Sequence, residues 1–301
     1  ADGQLTVPAR VLVEYLQNNT DKSITLTGSD VTLLINSTNH SAKVKGIAAD
    51  DYPDLPKITF QADTSLKSSV LLELVSKTLF AAASDETRPI LTGLLFKFTS
   101  DEMTVVGTDG YRLAMASHAV TSTLDGDYIL PKRSLQELVR LLGIDEETTL
   151  SFSSSQARIK IGSVTFITRV MDGNFPPYES IIPKKSSFSL SLNAAALLQS
   201  LKLASLFSRD SAFSTKLEVT EAKIIITAVS PMLGESTNEV AISGGPAEKL
   251  IINVNAQYLI DALTTLGGEI TLALIDAKSP VVLTIPKDKS YLYLLMPLRS
   301  E

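Results

Sequence analysis

The sequence predicts an α+β fold made of repeated units, in which each full unit has two helices packed on antiparallel β-sheets. Two observations predict this class. A helix with one apolar pattern occurs three times, and short strands of alternating polarity, separated by Gly, Asp and Ser turns, fill the intervals. At roughly 100–150 residues for a domain, the 301 residues allow two to three domains.

The clearest copy of the helix lies within residues 129–142. A strand-like Ile129-Leu130 meets Pro131, whose fixed φ and missing N–H suit the first turn of a helix. The apolar residues that follow share the spacing of one helical face, and they are Leu135, Leu138, Val139 and Leu142. The opposite face carries the cations Lys132, Arg133 and Arg140, with Glu137 at its flank. We therefore expect one basic helix face in water.

Two other helices repeat this pattern. Pro8 and Asn255 stand where Pro131 stands, at separations of 123 and 124 residues. The third copy lacks the basic face, because it carries Gln257, Asp261 and Thr264 outward. A strand-then-helix segment precedes the second and third copies, at residues 60–80 and 188–206. Only residues 1–6 precede the first copy, so we expect the front half of the first unit to be absent.

Strands of alternating polarity complete the units, and turns or linkers separate them. Gly28-Ser29-Asp30 predicts a hairpin within residues 23–35, and two proline-containing segments, 48–56 and 172–183, read as linkers. The predicted domains are 1–58, the C-terminal half of a first unit, then 59–184 and 185–301. The other predicted strands are 41–47, 94–98, 103–107, 148–154, 156–161, 163–170, 186–192, 215–220, 222–230, 236–243, 270–275, 280–286 and 290–296.

Composition disfavours several functional classes. The net charge of −6 argues against a uniformly basic nucleic-acid binder, although a few cationic helices can still form a local positive surface. Without cysteine, a Gly-rich phosphate loop or a nucleophile motif, the sequence predicts no enzyme, no metal and no cofactor. No apolar run is long enough to cross a bilayer, and we expect a cytoplasmic protein. An acidic β-rich repeat scaffold or adhesion module, without DNA binding, remains the alternative.

Six motifs carry a resemblance that spans the chain. The motifs are Val7-Pro8-Ala9, Asp51-Tyr52-Pro53, Glu86-Thr87-Arg88-Pro89, Thr108-Asp109-Gly110-Tyr111-Arg112-Leu113-Ala114, Asp172-Gly173-Asn174-Phe175-Pro176 and Met296-Pro297-Leu298-Arg299. With these six motifs in this order, the sequence resembles the bacterial DNA polymerase III β subunit family, the replicative sliding clamps.

The resemblance implies a processivity factor of DNA replication, a non-catalytic subunit whose holoenzyme supplies the nucleotidyltransferase activity. It implies three similar clamp domains and, at full length, a head-to-tail homodimer that forms a ring around double-stranded DNA without sequence specificity. The implied partners are the polymerase III catalytic subunit, the clamp loader and other replication or repair proteins, bound through short peptide motifs, with no membrane. Because the first domain of one subunit meets the third domain of the other, a chain without its front half predicts a monomer or weak dimer.

The resemblance also implies three sets of site residues. The DNA-facing set is Lys132, Arg133 and Arg140, with smaller contributions from Lys67, Lys77, Lys202 and Arg10. The partner-peptide pocket, between the second and third domains, comprises Leu91, Thr108, Gly110, Tyr111, Arg112, Leu113, Pro176, Ile181, Leu294, Leu295, Met296, Pro297, Leu298 and Arg299. The dimer interface includes Leu206 and Phe207. Tyr111 and Ser180 depart from the family pattern, where many relatives have His and Arg.

Overall fold

The computed structural model describes residues 4–52, 59–60, 62–143 and 146–298. The chain forms two compact units, Ala1–Ile58 and Thr59–Glu301. The described part has no helix that is both long and apolar enough to cross a membrane. It likewise has no group of three His, Cys, Asp or Glu side chains placed to hold a metal ion. Pro53, in one predicted linker motif, lies outside the described residues.

The first unit is one helix and a three-stranded antiparallel sheet of order β1-β2-β3. The helix begins directly after Pro8, as the sequence predicts. Its apolar residues Leu12, Tyr15 and Leu16 are only half-buried, whereas Ile35 of the sheet is fully buried. The elements are α1 (Ala9–Asn18), β1 (Ile24–Ser29), β2 (Thr32–Ser37) and β3 (Ser41–Lys45).

The second unit contains two successive sets of two helices and eight strands. The first set is β4 (Asp63–Lys67), α2 (Ser68–Thr78), β5 (Gly93–Phe98), β6 (Glu102–Thr108), β7 (Arg112–Ala119), β8 (Gly126–Pro131), α3 (Lys132–Leu141), β9 (Glu147–Phe152), β10 (Gln156–Ile161) and β11 (Val164–Arg169). The second set is β12 (Phe188–Asn193), α4 (Ala194–Ser205), β13 (Ser214–Val219), β14 (Lys223–Ser230), β15 (Gly234–Ala241), β16 (Leu250–Asn255), α5 (Ala256–Thr264), β17 (Glu269–Leu274), β18 (Val281–Ile285) and β19 (Asp288–Leu295). This content confirms the predicted α+β class.

Three antiparallel sheets organise the second unit. Two have four strands each, in the orders β11-β10-β9-β4 and β15-β14-β13-β16. The third has eight strands, in the order β12-β17-β18-β19-β7-β6-β5-β8. Its strands come from both sets of elements, and the two sets meet where β19 pairs with β7. The long sheet therefore joins the two predicted complete domains along one strand pair.

The helices begin where the sequence signals are strongest. Pro131 ends β8 and immediately precedes α3, and the Asn255 side chain caps α5 by accepting from the Tyr258 amide at 3.3 Å. In α3, Leu135 and Leu138 are fully buried, which confirms the predicted apolar stripe.

The predicted strand list omitted β7 and β16. In β7 the alternation of polarity is weak because residues on both of its faces are buried.

An aromatic cluster holds two sheets of the second unit together. Phe152 of β9 stacks on Tyr128 of β8 with ring centroids 4.3 Å apart, and its centroid lies 5.4 Å from that of Phe98 in β5. Because Phe152 belongs to a four-stranded sheet and its neighbours belong to the long sheet, these rings join the two sheets. Buried aromatic pairs contribute about 0.5–1.5 kcal/mol beyond the area that they bury.

Replacing Phe152 by alanine should lower the free energy of unfolding by about 3–5 kcal/mol, because it opens a cavity between the two sheets. Urea denaturation followed by circular dichroism measures this change. Ile167→Ala, at an exposed position of β11, is the control and should stay within about 0.5 kcal/mol of the unsubstituted chain. Equal losses for the two variants would contradict the role of the aromatic cluster.

Candidate functional site

The candidate site lies where the two parts of the long sheet meet. Strands β7 and β19 pair antiparallel in a register that places Leu295 opposite Arg112. Past the end of β19, the amide of Met296 donates to the carbonyl of Tyr111 at 2.9 Å. This bond extends the ladder by one residue, so residues 296–298 stay attached to the turn that precedes β7.

A groove of about 480 Å³ runs along residues 296–298. The Leu298 amide donates to the carbonyl of Asn253 at 2.7 Å, which fixes the far end of this segment to β16. On another side is the β17–β18 turn, where the Asp276 carboxylate accepts from the Lys278 and Ser279 amides at 2.8 and 2.7 Å. These hydrogen bonds lower the pKa of Asp276. The lining residues are Ile251, Asn253, Ala277, Lys278, Met296, Pro297 and Leu298.

The predicted pocket residues divide into an exposed group and a buried group. Tyr111, Ile181 and Met296 are 60, 49 and 38 % exposed. Gly110 and Pro176 are also exposed, and Pro297 and Leu298 are half-buried. The buried residues are Leu91, Thr108, Arg112, Leu113, Leu294 and Leu295. Arg299 lies outside the described residues.

A small apolar cluster supports the linker beside this junction. Leu113 of β7 and Leu294 of β19 pack in one buried cluster with Tyr178 of the linker. Phe175 packs against the same cluster and meets Tyr178 edge to face, with centroids 6.3 Å apart. The linker between the predicted domains is therefore held on the long sheet, next to the exposed Ile181.

Arg112, one of the predicted pocket residues, is buried and donates to three groups within the chain. Its Nε donates to Asp109 at 3.0 Å, its Nη1 to Asp261 at 2.6 Å and its Nη2 to the Phe80 carbonyl at 2.8 Å. Burial is the largest single influence on Arg112 and opposes its charge, but the hydrogen bond to Asp261 and the charges of Asp109 and Asp261 together raise the pKa of the guanidinium. The sequence placed Asp261 on an outward face, and the structure corrects this, since Asp261 is half-buried in this ion pair.

Two predicted DNA-facing lysines are used inside the chain. The Lys132 ammonium donates to the Ala82 carbonyl at 2.7 Å, and burial, together with the nearby Arg112 charge, lowers its pKa. Lys77 pairs with Glu73 on α2, and its side chain is only 14 % exposed. Both ammonium groups therefore have partners within the chain.

The other predicted DNA-facing cations reach the surface. Arg133 is exposed at the start of α3, and Arg140, in the last turn of that helix, is exposed but pairs with Glu137 at 3.0 Å. This ion pair makes the α3 face less basic than the sequence predicts. Lys67, Lys202 and Arg10 are exposed at the start of α2, the end of α4 and the start of α1.

The two predicted interface residues differ in exposure. Leu206, directly after α4, is 49 % exposed, whereas Phe207 is half-buried and packs against the chain's own core. Strand β15, on which α4 packs, is an outer strand of its sheet within the described residues. Leu206 is thus the residue of this pair that is available for contact with another molecule.

Comparisons with known proteins give the family of this chain. Residues 65–177 match the model of the DNA polymerase III beta subunit central domain, and residues 179–299 match the model of its C-terminal domain. The beta sliding clamp of Bacillus subtilis is 31 % identical over 273 residues, which span 89 % of this chain and 72 % of that protein. The beta sliding clamp of Halalkalibacterium halodurans is 30 % identical over 312 residues, with 99 and 81 % of the two chains covered. The chain belongs to the beta sliding clamp family.

Solved clamp structures agree with this assignment. The chain is similar to the Bacillus subtilis clamp with a TM-score of 0.92 and 29 % identity, covering 98 % of this chain and 80 % of that one. It is similar to a Pseudomonas aeruginosa clamp bound to griselimycin with a TM-score of 0.91 and 26 % identity, covering 98 and 81 %. The chain is therefore a sliding clamp of DNA replication, and a scaffold or adhesion module is not favoured.

Sequence reasoning missed part of the groove wall in this clamp. It identified residues 296–298 but not Ile251 and Asn253 of β16, nor Ala277 and Lys278 of the β17–β18 turn. The available signal was an apolar residue at an exposed strand position, because Ile251 is 41 % exposed in an otherwise alternating strand. The residue pattern alone does not show which strand lies beside the chain end.

Proposed function

We propose that this clamp is a non-catalytic processivity factor that acts in the cytoplasm and holds partner proteins at its groove. The single observation that carries the groove assignment is the attachment of residues 296–298 to both Tyr111 and Asn253, beside a channel lined by both apolar and polar side chains. We take residues 59–184 as the second clamp domain and residues 185–301 as the third. The second domain contributes Tyr111 beside the channel, and the third contributes the lining residues.

The groove is suited to short apolar peptides, such as those of a polymerase catalytic subunit, a clamp loader or repair proteins. Met296 adapts its shape, and Ile251 and Leu298 add apolar surface. The exposed Tyr111, whose carbonyl accepts from the Met296 amide, is the aromatic residue that we assign to one end of the groove. Griselimycin is bound to the related Pseudomonas aeruginosa clamp, so one clamp of this family holds a ligand. We propose that this chain binds griselimycin in the same groove that takes partner peptides.

Met296→Ala should weaken griselimycin binding by about tenfold or more, because it removes an adaptable apolar side chain from the groove wall. Isothermal titration calorimetry measures the affinity. The melting temperature should change by no more than about 2 °C, since Met296 is partly exposed at the end of a strand. Met232→Ala, at an exposed methionine outside the groove, is the matched control. If Met296→Ala binds griselimycin as tightly as the unsubstituted chain does, the groove assignment is wrong.

We propose that the DNA contacts come from the exposed cations alone, without sequence preference. Arg133 and Arg140 of α3 contribute most, and Lys67, Lys202 and Arg10 add weaker contacts. Arg140 and Arg10 pair with Glu137 and Glu14 but stay exposed, whereas the side chains of Lys132 and Lys77 are half-buried against their partners and stabilise the helices from within. A few surface cations suit a protein that surrounds double-stranded DNA and moves along it, since phosphate contacts carry no sequence information.

Replacing Arg133 and Arg140 together by glutamate should weaken binding to duplex DNA. It should also flatten the dependence of log K on log salt by about 2, because each lost phosphate contact removes roughly 0.9 released counterion. Fluorescence anisotropy with one labelled duplex at several salt concentrations measures the slope. Lys160→Glu, at an exposed lysine on β10, controls for overall charge. The assignment fails if the double variant and the control have the same slope.

We propose that the full-length clamp is a head-to-tail homodimer that uses the outer edge of β15. The internal repeat supports this. Leu206 follows the start of α4 by as many residues as Phe80 follows the start of α2, and Phe80 packs on Tyr293 across the β7–β19 pair, with centroids 5.8 Å apart. The charges also match, since β15 carries the exposed Glu235 whereas β3 of a second copy carries lysines. These lysines are Lys43 and Lys45.

Leu206→Glu should shift the association of this chain towards the monomer at micromolar concentrations, because a charge replaces exposed apolar surface beside β15. Sedimentation equilibrium measures the dissociation constant. Val164→Glu, at a similarly exposed position on β11, should leave that constant unchanged. A monomer–dimer equilibrium that Leu206→Glu does not alter would place the interface elsewhere.

A further inference from the structure

The turn that leads into β7 has a single, well-defined shape. The Asp109 carboxylate accepts from the Tyr111 and Arg112 amides at 2.9 and 3.0 Å, and the Gly110 amide donates to Thr108 Oγ1 at 3.1 Å. Gly110 has a φ of +90°, and a Cβ at that position would lie 2.8 Å from the Arg88 guanidinium. The turn therefore holds Tyr111 in one place, where its carbonyl binds the amide of the groove residue Met296.

The Arg112 guanidinium connects this turn to the other half of the long sheet. It donates to Asp109, within the turn, and to Asp261, on α5. The guanidinium also lies over the Tyr258 ring, 4.2 Å from its centroid. The partners on α5 come from the predicted third domain, whereas Asp109 and Arg112 belong to the second. A polar contact thus spans the same junction that β7 and β19 form.

The Asp261 carboxylate is itself held in position. One oxygen accepts from Arg112 Nη1 at 2.6 Å, and the other accepts from Gln257 Nε2 at 2.7 Å. Both donors approach a half-buried side chain, where the charge on Arg112 is screened less than it would be in water. Asp261 is therefore positioned to fix the orientation of the Arg112 side chain.

The turn and the groove share one backbone hydrogen bond. The Met296 amide donates to the Tyr111 carbonyl, so a displacement of the turn displaces both the exposed Tyr111 ring and the attachment of the groove segment. Asp261 does not line the groove. Its influence on a ligand there has to pass through Arg112 and the turn.

We infer that Asp261 is a positioning residue for the partner groove, acting through Arg112 on the turn that presents Tyr111. This inference rests on the proposed function of the groove and deepens it. A ligand at the groove requires Tyr111 and Met296 in a fixed relation, and the ion pair supplies that relation from the third domain. Residues coupled in one hydrogen-bond network change each other's binding effects by roughly 2- to 150-fold.

Calorimetric titration with griselimycin, on the full chain, tests the inference. Asp261→Ala should weaken binding about tenfold, within the range typical of coupled residues. Asp261→Glu should restore affinity to within about threefold of the unsubstituted chain, because it returns a carboxylate to Arg112. If Asp261→Ala does not fold, Asp261→Asn keeps the shape of the side chain, loses its charge and should weaken binding in the same direction.

A matched ion pair elsewhere serves as the control. Arg158 pairs with Asp63 at 3.6 Å and lies 4.2 Å over the Phe60 ring, so it repeats the arrangement of Arg112 away from the groove. Asp63→Ala should keep the affinity for griselimycin. In ¹H–¹⁵N spectra, the amide resonances of Tyr111 and Met296 should shift in Asp261→Ala and stay in place in Asp63→Ala, which loss of stability alone does not produce.

The outcomes separate this inference from the proposed function. If Met296→Ala loses griselimycin binding while folded Asp261→Ala and Asp261→Asn bind like the unsubstituted chain, the groove stands and the positioning role of Asp261 is overturned. If the unsubstituted chain does not bind griselimycin, or Met296→Ala binds it equally well, the groove assignment fails and the inference fails with it. Weakened binding with restoration by Asp261→Glu supports both.

Discussion

The pairing of β7 with β19 is the contact on which the rest of the second unit depends. An outer strand leaves a row of backbone N–H and C=O groups without partners, and here two such strands satisfy each other. Their register places Leu295 opposite Arg112, which brings the end of β19 to the turn before β7. The groove, the Arg112 ion pairs and the linker cluster around Tyr178 all lie next to this one strand pair. A shift by one residue would exchange the two faces of β19 and move Leu294 out of that cluster.

The repeat explains why the long sheet can form. Each predicted complete domain contains two copies of a strand, a helix and three further strands, and each group of four paired strands joins the last three strands of one copy to the first strand of the other. Such an arrangement leaves the last strand of each copy at an edge. In the described part of the second unit, β7 and β19 use their edges on each other, whereas β11 and β15 remain outermost. On β15, Glu239 already pairs with Lys223 of the neighbouring strand at 2.6 Å, and the exposed Glu235 suits an edge that stays in water or meets an opposite charge.

Local sequence signals predicted the helices well and the polar contacts poorly. Pro131 and Asn255 mark helix starts through their own backbone and side-chain chemistry, and the burial of Leu135 and Leu138 follows from helical spacing alone. The partners of Lys132 could not be predicted in this way, because the Ala82 carbonyl is brought near only by the packing of α3 against the end of α2. The same holds for Arg112 and Asp261, which are 149 residues apart in the chain. The family resemblance identified the end of the chain as part of the groove, but the strand that faces it required the fold.

Backbone repetition and side-chain identity make separate contributions to this site. The turn before β15 repeats the turn before β7, since Ser230 Oγ accepts from the Met232 amide at 3.3 Å as Thr108 Oγ1 accepts from the Gly110 amide at 3.1 Å. The two turns differ in what they carry. Gly110 leaves room for Arg88, whose guanidinium donates to the Asp109 carbonyl at 3.1 Å, whereas Met232 extends into solvent and is 87 % exposed. The repeat therefore supplies the turn twice, and the residues Gly110 and Arg112 confine the ion-paired junction and its groove to one of the two copies.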